Sequence, residues 1–205
     1  NSGQSCNAPS RMLVERSAYD RAVEVAAKTA AAIEVGPADQ PGRHIGPVVN
    51  ERQYEQIQSY IQKGIDEGAR LVAGGLGRPN GFNCGYYVKP TIFADVIPGM
   101  TIEREEIFGP VMVIMPFDSE EEALRLANDT PYGLTNYVQT NNGARRNRVA
   151  LGLRSGMVQM NMTSREAGSP FGGVKASGRA REGGMFGLEE FLEVKAISGW
   201  DPSSE

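Results

Sequence analysis

Residues Val111-Met112-Val113-Ile114-Met115-Pro116-Phe117 form an unbroken apolar run. A strand with one wet face alternates apolar and polar side chains, whereas a strand covered on both faces does not. Such a run is at home only in a sheet with helices packed on each side. Its surroundings supply helix signals. Ser119 stands before Glu120-Glu121-Glu122 and Ala123-Leu124-Arg125-Leu126-Ala127, an N-cap followed by an acidic first turn.

The rest of the chain alternates in the same way. Ser17 to Ile33 is alanine-rich, with Ala18, Ala22, Val25, Ala26, Thr29 and Ala30 at helical spacing, and Gly36-Pro37 closes it. Asn50 can cap a second helix to about Glu67, with Tyr54, Ile57, Tyr60, Ile61 and Ile65 on one face and Gly68 as its stop. Arg70 to Ala73, Tyr86 to Val88, Thr91 to Phe93, Thr135 to Gln139 and Gly156 to Met160 read as strands, and Gly143 to Leu151 as a helix. Short turns between strands and helices predict an α/β fold of three layers, a mostly parallel sheet covered by helices.

Several function classes are excluded or disfavoured. The net charge of −4 argues against a nucleic-acid-binding surface. No apolar run reaches the roughly 18 residues of a membrane span, and no signal-peptide core precedes Cys6, so the expected location is the cytoplasm. Cys6, Cys84 and the single histidine, His44, do not make a metal site or a disulfide framework, and the glutamates at 120–122 read as a solvated helix start. No G-x-G-x-x-G opens a helix after a strand, because Gly75-Leu76-Gly77-Arg78-Pro79-Asn80 lacks the last glycine and meets a proline. The glycines around Gly172-Gly173 lack the Lys-Ser/Thr pair of a phosphate-binding loop.

Cys6 is the candidate nucleophile. It follows the glycine-bearing stretch Asn1-Ser2-Gly3-Gln4-Ser5 and precedes Asn7 to Glu15, which reads as the start of a helix with Pro9 in its first turn. A thiol there faces unpaired N–H groups and the positive end of the dipole, which favour thiolate and can hold an oxyanion. The competing reading is a small buried hydrophobe. Cys84, in the loop Gly81 to Gly85, has no evident activator, and His44 lies in a loop far from Cys6 in sequence. The chain begins without a methionine, five residues before this cysteine, and is therefore expected to be part of a longer protein.

Four segments carry a resemblance: Asn1 to Cys6; Glu105-Glu106-Ile107-Phe108-Gly109-Pro110-Val111; Asn128-Asp129-Thr130-Pro131-Tyr132-Gly133-Leu134; and Ser169-Pro170-Phe171-Gly172-Gly173-Val174-Lys175-Ala176-Ser177-Gly178. In this order and spacing they resemble the aldehyde dehydrogenase superfamily, over nearly the whole chain. The resemblance implies the C-terminal catalytic half of such an enzyme. Residues 1–190 would be the catalytic domain and 191–205 a tail that begins the oligomerisation segment. The dinucleotide-binding domain, the general-base glutamate and the oxyanion asparagine would lie upstream of Asn1. Cys6 matches the nucleophile, Glu106 the residue that bonds the nicotinamide-side ribose, and Phe108 the aromatic beside it. Taken alone, Glu106 is a solvated loop carboxylate and Phe108 a core residue.

Further matches concern substrate and water. The loop Asn161 to Gly168 matches the substrate-pocket anchor loop, with Arg165 where many relatives place an aromatic; Phe171 matches the aromatic wall. Arg165 either faces a carboxylate-bearing aldehyde or turns outward to Glu166. Glu182, in the segment Gly178 to Leu188, matches a glutamate on the water path, or else forms a structural ion pair with Lys175 or an arginine. Ala180 departs from a usual glycine. The implied cofactor is NAD or NADP, the partner a small-molecule aldehyde, and the assembly a homo-oligomer, dimer or tetramer. This chain alone is expected to be inactive in hydride transfer. A CoA-acylating enzyme and a non-catalytic structural relative are the alternatives.

Overall fold

The computed structural model describes residues 1–201 and 203. Strand β1 (Arg11–Glu15) follows the N-terminal turns, and a short 3-10 turn leads into helix α1 (Tyr19–Ala32). Then come α2 (Glu51–Asp66), β2 (Arg70–Ala73), β3 (Thr91–Ala94), α3 (Thr101–Arg104), β4 (Val111–Phe117), α4 (Glu120–Asn128), β5 (Thr135–Val138), α5 (Gly143–Gly152), β6 (Met157–Met160) and α6 (Gly184–Glu189).

Strands β1, β4, β3 and β2 lie side by side in that order. The β1–β4 and β3–β4 pairs are parallel and β2–β3 is antiparallel, while β5 and β6 form a separate parallel pair. The apolar run is the central strand. Alternation along β4 sends Val111, Val113 and Met115 to one face, where they meet Ile57 and Ile61 of α2, Ile102 of α3 and Leu126 of α4. Ile114 points to the other face with Val14, Ile92 and Ala94, against Tyr19, Val23 and Ala30 of α1. Phe93, Ile57, Ile61 and Ile114 are fully buried, each contributing roughly 1.5–3 kcal/mol of burial. This is the three-layer, mostly parallel arrangement that the apolar run requires.

Local signals worked where they were chemical. The Asn50 side chain accepts from the Gln53 N–H at 2.9 Å and the Ser119 hydroxyl from the Glu122 N–H at 3.1 Å, so both caps start helices. Gly68 ends α2 with φ of 86°, a left-handed residue that glycine adopts without strain.

Four readings are corrected. The segment after Cys6 forms β1, not a helix, because Arg11 to Glu15 pair in register with Val113 to Phe117 and satisfy the flank of the central strand. Tyr86 to Val88 is not a strand; among the described residues it makes a single backbone bond, Val48 N–H to Tyr86 C=O at 2.9 Å, and Pro90 has no N–H to extend the ladder. In α1 the buried side is Tyr19, Val23 and Ala30, and Val25 is exposed. Helices α3 and α6 had no counterpart in the sequence reading.

Residues 190–201 form no helix or strand and are exposed; positions 202, 204 and 205 of the expected tail lie outside the described residues. Among the described residues no helix is long and apolar enough to cross a membrane.

Candidate active site

Cys6 sits on the second of two tight turns. The first, Asn1 to Gln4, is closed by Gln4 N–H to Asn1 C=O at 3.0 Å and places both Ser2 (φ 52°) and Gly3 (φ 73°) in the left-handed region. Ser2 is buried and donates its hydroxyl to Gly46 C=O at 2.7 Å; the Gln4 side chain accepts from Val49 N–H at 2.9 Å. The second turn, Ser5 to Ala8, is closed by Ala8 N–H to Ser5 C=O at 3.0 Å and carries an exposed Cys6. The cysteine is thus no buried hydrophobe. With a strand behind it, any N–H groups available to the thiol or an oxyanion come from turns, not from a helix end.

The first turn is pressed onto the Glu106–Pro110 loop. A Cβ added at Gly3 would lie 2.0 Å from Gly109 O, so only glycine permits this approach. That loop is in turn bolted to α2. Gln53 Nε2 donates to Ile107 C=O at 3.2 Å and Phe108 C=O at 2.9 Å, Ile107 is buried, and Gly109 rests on Ile57. Phe108 adopts φ of 54° and the residue is 39% exposed, so it is not core. Glu106 is exposed and, among the described residues, its carboxylate makes no hydrogen bond or ion pair, leaving both oxygens able to accept from a ligand's hydroxyls. Burial pushes the nearby Tyr60 phenol above its usual pKa, and Glu105 and Glu106 add to the shift.

The other predicted residues meet one another. Phe171 and Glu182 pair through their backbones, at 2.8 and 2.7 Å, and the Arg165 guanidinium lies 5.7 Å above the centre of the Phe171 ring while donating to Ser169 C=O. Arg165 does not pair with Glu166. Nor does Glu182 pair with Lys175 or an arginine among the described residues; Lys175 Nζ donates instead to Asn128 C=O at 2.8 Å and Thr130 C=O at 3.1 Å. Phe171 to Val174 and the Cys6 turn are linked through the small sheet: Gly156, leading into β6, abuts Gly172, and Tyr137 of β5 donates to Asn7 C=O at 2.8 Å.

The remaining two motifs interlock as scaffold. Gly133 N–H donates to Ser177 Oγ at 3.0 Å, Ala176 N–H to Pro131 C=O at 2.9 Å, and the Asn128 amide bridges Gly152 C=O and Arg154 N–H. A cavity of about 560 Å³ opens beside them, lined by Arg104, Glu105, Asn128, Asp129, Thr130, Pro131, Arg154 and Lys175; none of the candidate site residues is on its wall. Gln53 and Tyr137 are site-shaping residues that the sequence did not single out. Gln53 lies one turn into a capped helix, and Tyr137 is one residue of a four-residue strand, so neither carried a local signal.

An exposed thiol on a double turn thus lies against a loop that carries an exposed carboxylate and a half-exposed aromatic, within an α/β fold. The chain belongs to the aldehyde dehydrogenase family, whose pattern it matches over residues 1–197. It is 48% identical over 203 residues to 3-succinoylsemialdehyde-pyridine dehydrogenase of a Pseudomonas species, covering 99% of this chain and 43% of that protein. The structure superposes on an aldehyde dehydrogenase from Bartonella henselae with a TM-score of 0.95 and 59% identity, covering 97% of this chain and 42% of that one. It superposes equally, at 0.95 and 44% identity, on a cysteine-to-alanine variant of an aldehyde dehydrogenase from Pseudomonas syringae in complex with NAD+ and octanal, covering 100% of this chain and 42% of that one. The chain thus spans about two-fifths of the length of these relatives.

Proposed function

We propose that this chain is the nucleophile-bearing portion of an NAD(P)-dependent aldehyde dehydrogenase, with Cys6 as the covalent nucleophile. The observation that carries the reading is the Gly3–Gly109 contact. It sets the turn pair bearing the thiol against the loop bearing Glu106 and Phe108, so that a reacting carbonyl and a bound ribose are addressed from adjoining backbone.

The Cys6 thiolate adds to the aldehyde carbon, forming a C–S bond and a thiohemiacetal alkoxide that backbone N–H groups of the turn can stabilise. A nicotinamide cofactor held at Glu106 and Phe108 would supply the hydride acceptor for this carbon. The product on the protein is a thioester at Cys6, whose hydrolysis forms the acid and returns the thiolate. Glu106 fits a dinucleotide because its carboxylate is exposed and unpartnered, able to take two ribose hydroxyl hydrogens; Phe108 offers a flat apolar face beside it. The role for Glu182 is to border the path of the attacking water. Phe171 and Arg165 border the substrate, and the guanidinium over the ring is free on one side to pair with a substrate carboxylate.

The test is Cys6→Ala in the full-length enzyme. NAD(P)H production from aldehyde should vanish with the fold intact by circular dichroism, and retained turnover would refute the assignment. The 205-residue chain alone, in which Glu106 and Phe108 by themselves offer too little surface to hold a dinucleotide, should give no binding heat with millimolar NAD.

A further inference from the structure

We infer that the hydroxyl of Tyr137 is a positioning group for the Cys6 thiol, an inference that rests on Cys6 being the reacting group. Among the described residues, the 2.8 Å bond from Tyr137 OH to Asn7 C=O is the sole hydrogen bond between residues 5–9 and the rest of the molecule. On either side the chain is anchored elsewhere, through the Gln4 side chain to Val49 N–H and through Ser10 C=O to Val113 N–H at 2.9 Å. Everything between those anchors, Cys6 included, depends on this phenol.

The geometry of the tie explains why it acts on the thiol. Asn7 C=O and Ala8 N–H belong to one planar peptide unit. Its oxygen accepts from Tyr137 and its N–H donates to Ser5 C=O at 3.0 Å, so the plane is held at both ends. A plane so held cannot flip, and the Cys6 side chain one residue earlier inherits a fixed direction. Exposed turns without such ties sample several backbone states, and displacement of a reacting group by about 1 Å costs on the order of a hundredfold in rate.

The platform is suited to the task. Tyr137, 39% exposed, lies on β5 opposite Gln159 of β6, so its backbone is paired while its hydroxyl reaches the turn. Burial raises the phenol's pKa and a Cys6 thiolate raises it further, outweighing the lowering by the Asn7 bond, so the hydroxyl stays protonated and donating at neutral pH.

The experiment compares Tyr137→Phe with the unmodified full-length enzyme. Hydrogen exchange of the Ala8 amide should accelerate about tenfold, the effect of losing one hydrogen bond, while the Met157 amide, bonded to Leu134 C=O in the small sheet, keeps its protection. Acylation of Cys6 by 4-nitrophenyl acetate, followed by peptide mass spectrometry, should slow by a similar factor, and alkylation of Cys84 by iodoacetamide should be unchanged. Tyr137→Leu should give the same loss as Tyr137→Phe. Unchanged Ala8 exchange with unchanged acylation overturns the inference, as does a loss in the leucine variant alone, which would assign the effect to ring packing. Absence of acylation at Cys6 in the unmodified enzyme would fail the nucleophile assignment itself and overturn the inference with it. Acylation at Cys6 that is indifferent to the tyrosine would fail only the positioning role.

Discussion

Gly3→Ala probes the contact on which the site is built. The new Cβ would sit 2.0 Å from Gly109 O and 2.3 Å from Gly109 C. Comfortable non-bonded separation is about 3.5 Å, so the two loops must part by more than ~1 Å. Both clashing atoms are backbone, and Gly109 is itself pinned against Ile57, so no flexible side chain can give way. The strain is of two kinds. Holding alanine at φ of 73° costs about 1–2 kcal/mol; overpacking adds about 1–3 kcal/mol. Gly68→Ala separates them, because Gly68 has φ of 86° with nothing within 4 Å of its added Cβ and so carries the conformational cost alone. Chemical denaturation should show Gly3→Ala less stable than Gly68→Ala by at least about 1 kcal/mol. In the full-length enzyme, Gly3→Ala should lose about a hundredfold in kcat, the cost of a 1 Å misplacement, with Gly68→Ala near wild type. Equal stability and equal turnover of the two variants would refute the claim that the Gly3–Gly109 approach sets the site.

Three further outcomes follow from the same geometry. Arg11 at the head of β1 pairs with buried Glu103 of α3 at 2.6 Å, joining the strand after the thiol to the helix before Glu106; Glu103→Ala should destabilise by roughly 3 kcal/mol in urea unfolding, the low end for one partner of a buried pair, since Arg11 keeps the Leu126 and Ala127 carbonyls. The Arg70 guanidinium holds the Asp95 carboxyl below its ordinary pKa, so its contribution is present above about pH 4 and lost as pH falls through the depressed value; Asp95→Asn should flatten the acid limb of a stability-versus-pH curve below about pH 4. Arg165→Ala should raise KM for a carboxylate-bearing aldehyde about tenfold or more relative to a neutral one of equal length, the value of a charged contact; equal effects on both would show that the guanidinium does not read substrate charge.

What the sequence disclosed was what is local. The double-sided burial of β4 is written in seven consecutive apolar residues, and the starts of α2 and α4 are written in single capping side chains, Asn50 and Ser119. Strand β1 was misread because five residues with three apolar ones fit either periodicity, and the deciding factor is the ladder to β4 about a hundred residues later in the chain. Helix α6 is hidden by glycines at 184 and 187, whose low propensity is outweighed by close packing against Gly168 and Glu182. The site behaves likewise. The motifs named Cys6, Glu106 and Phe108, but their joining through Gly3 and Gly109, the Gln53 clamp and the Tyr137 tie, 130 residues from its acceptor, are tertiary facts with no local signature.

The most direct test of the account is to trap the covalent intermediate. Full-length enzyme is mixed with aldehyde and NAD(P)+, quenched in acid within the first turnovers, digested and mapped by mass spectrometry. The account predicts a thioester, aldehyde mass less one hydrogen replacing the thiol proton, on the peptide containing Cys6 and none on the peptide containing Cys84. Continued turnover with Cys6 unmodified, or an acyl group found only on Cys84, would contradict it.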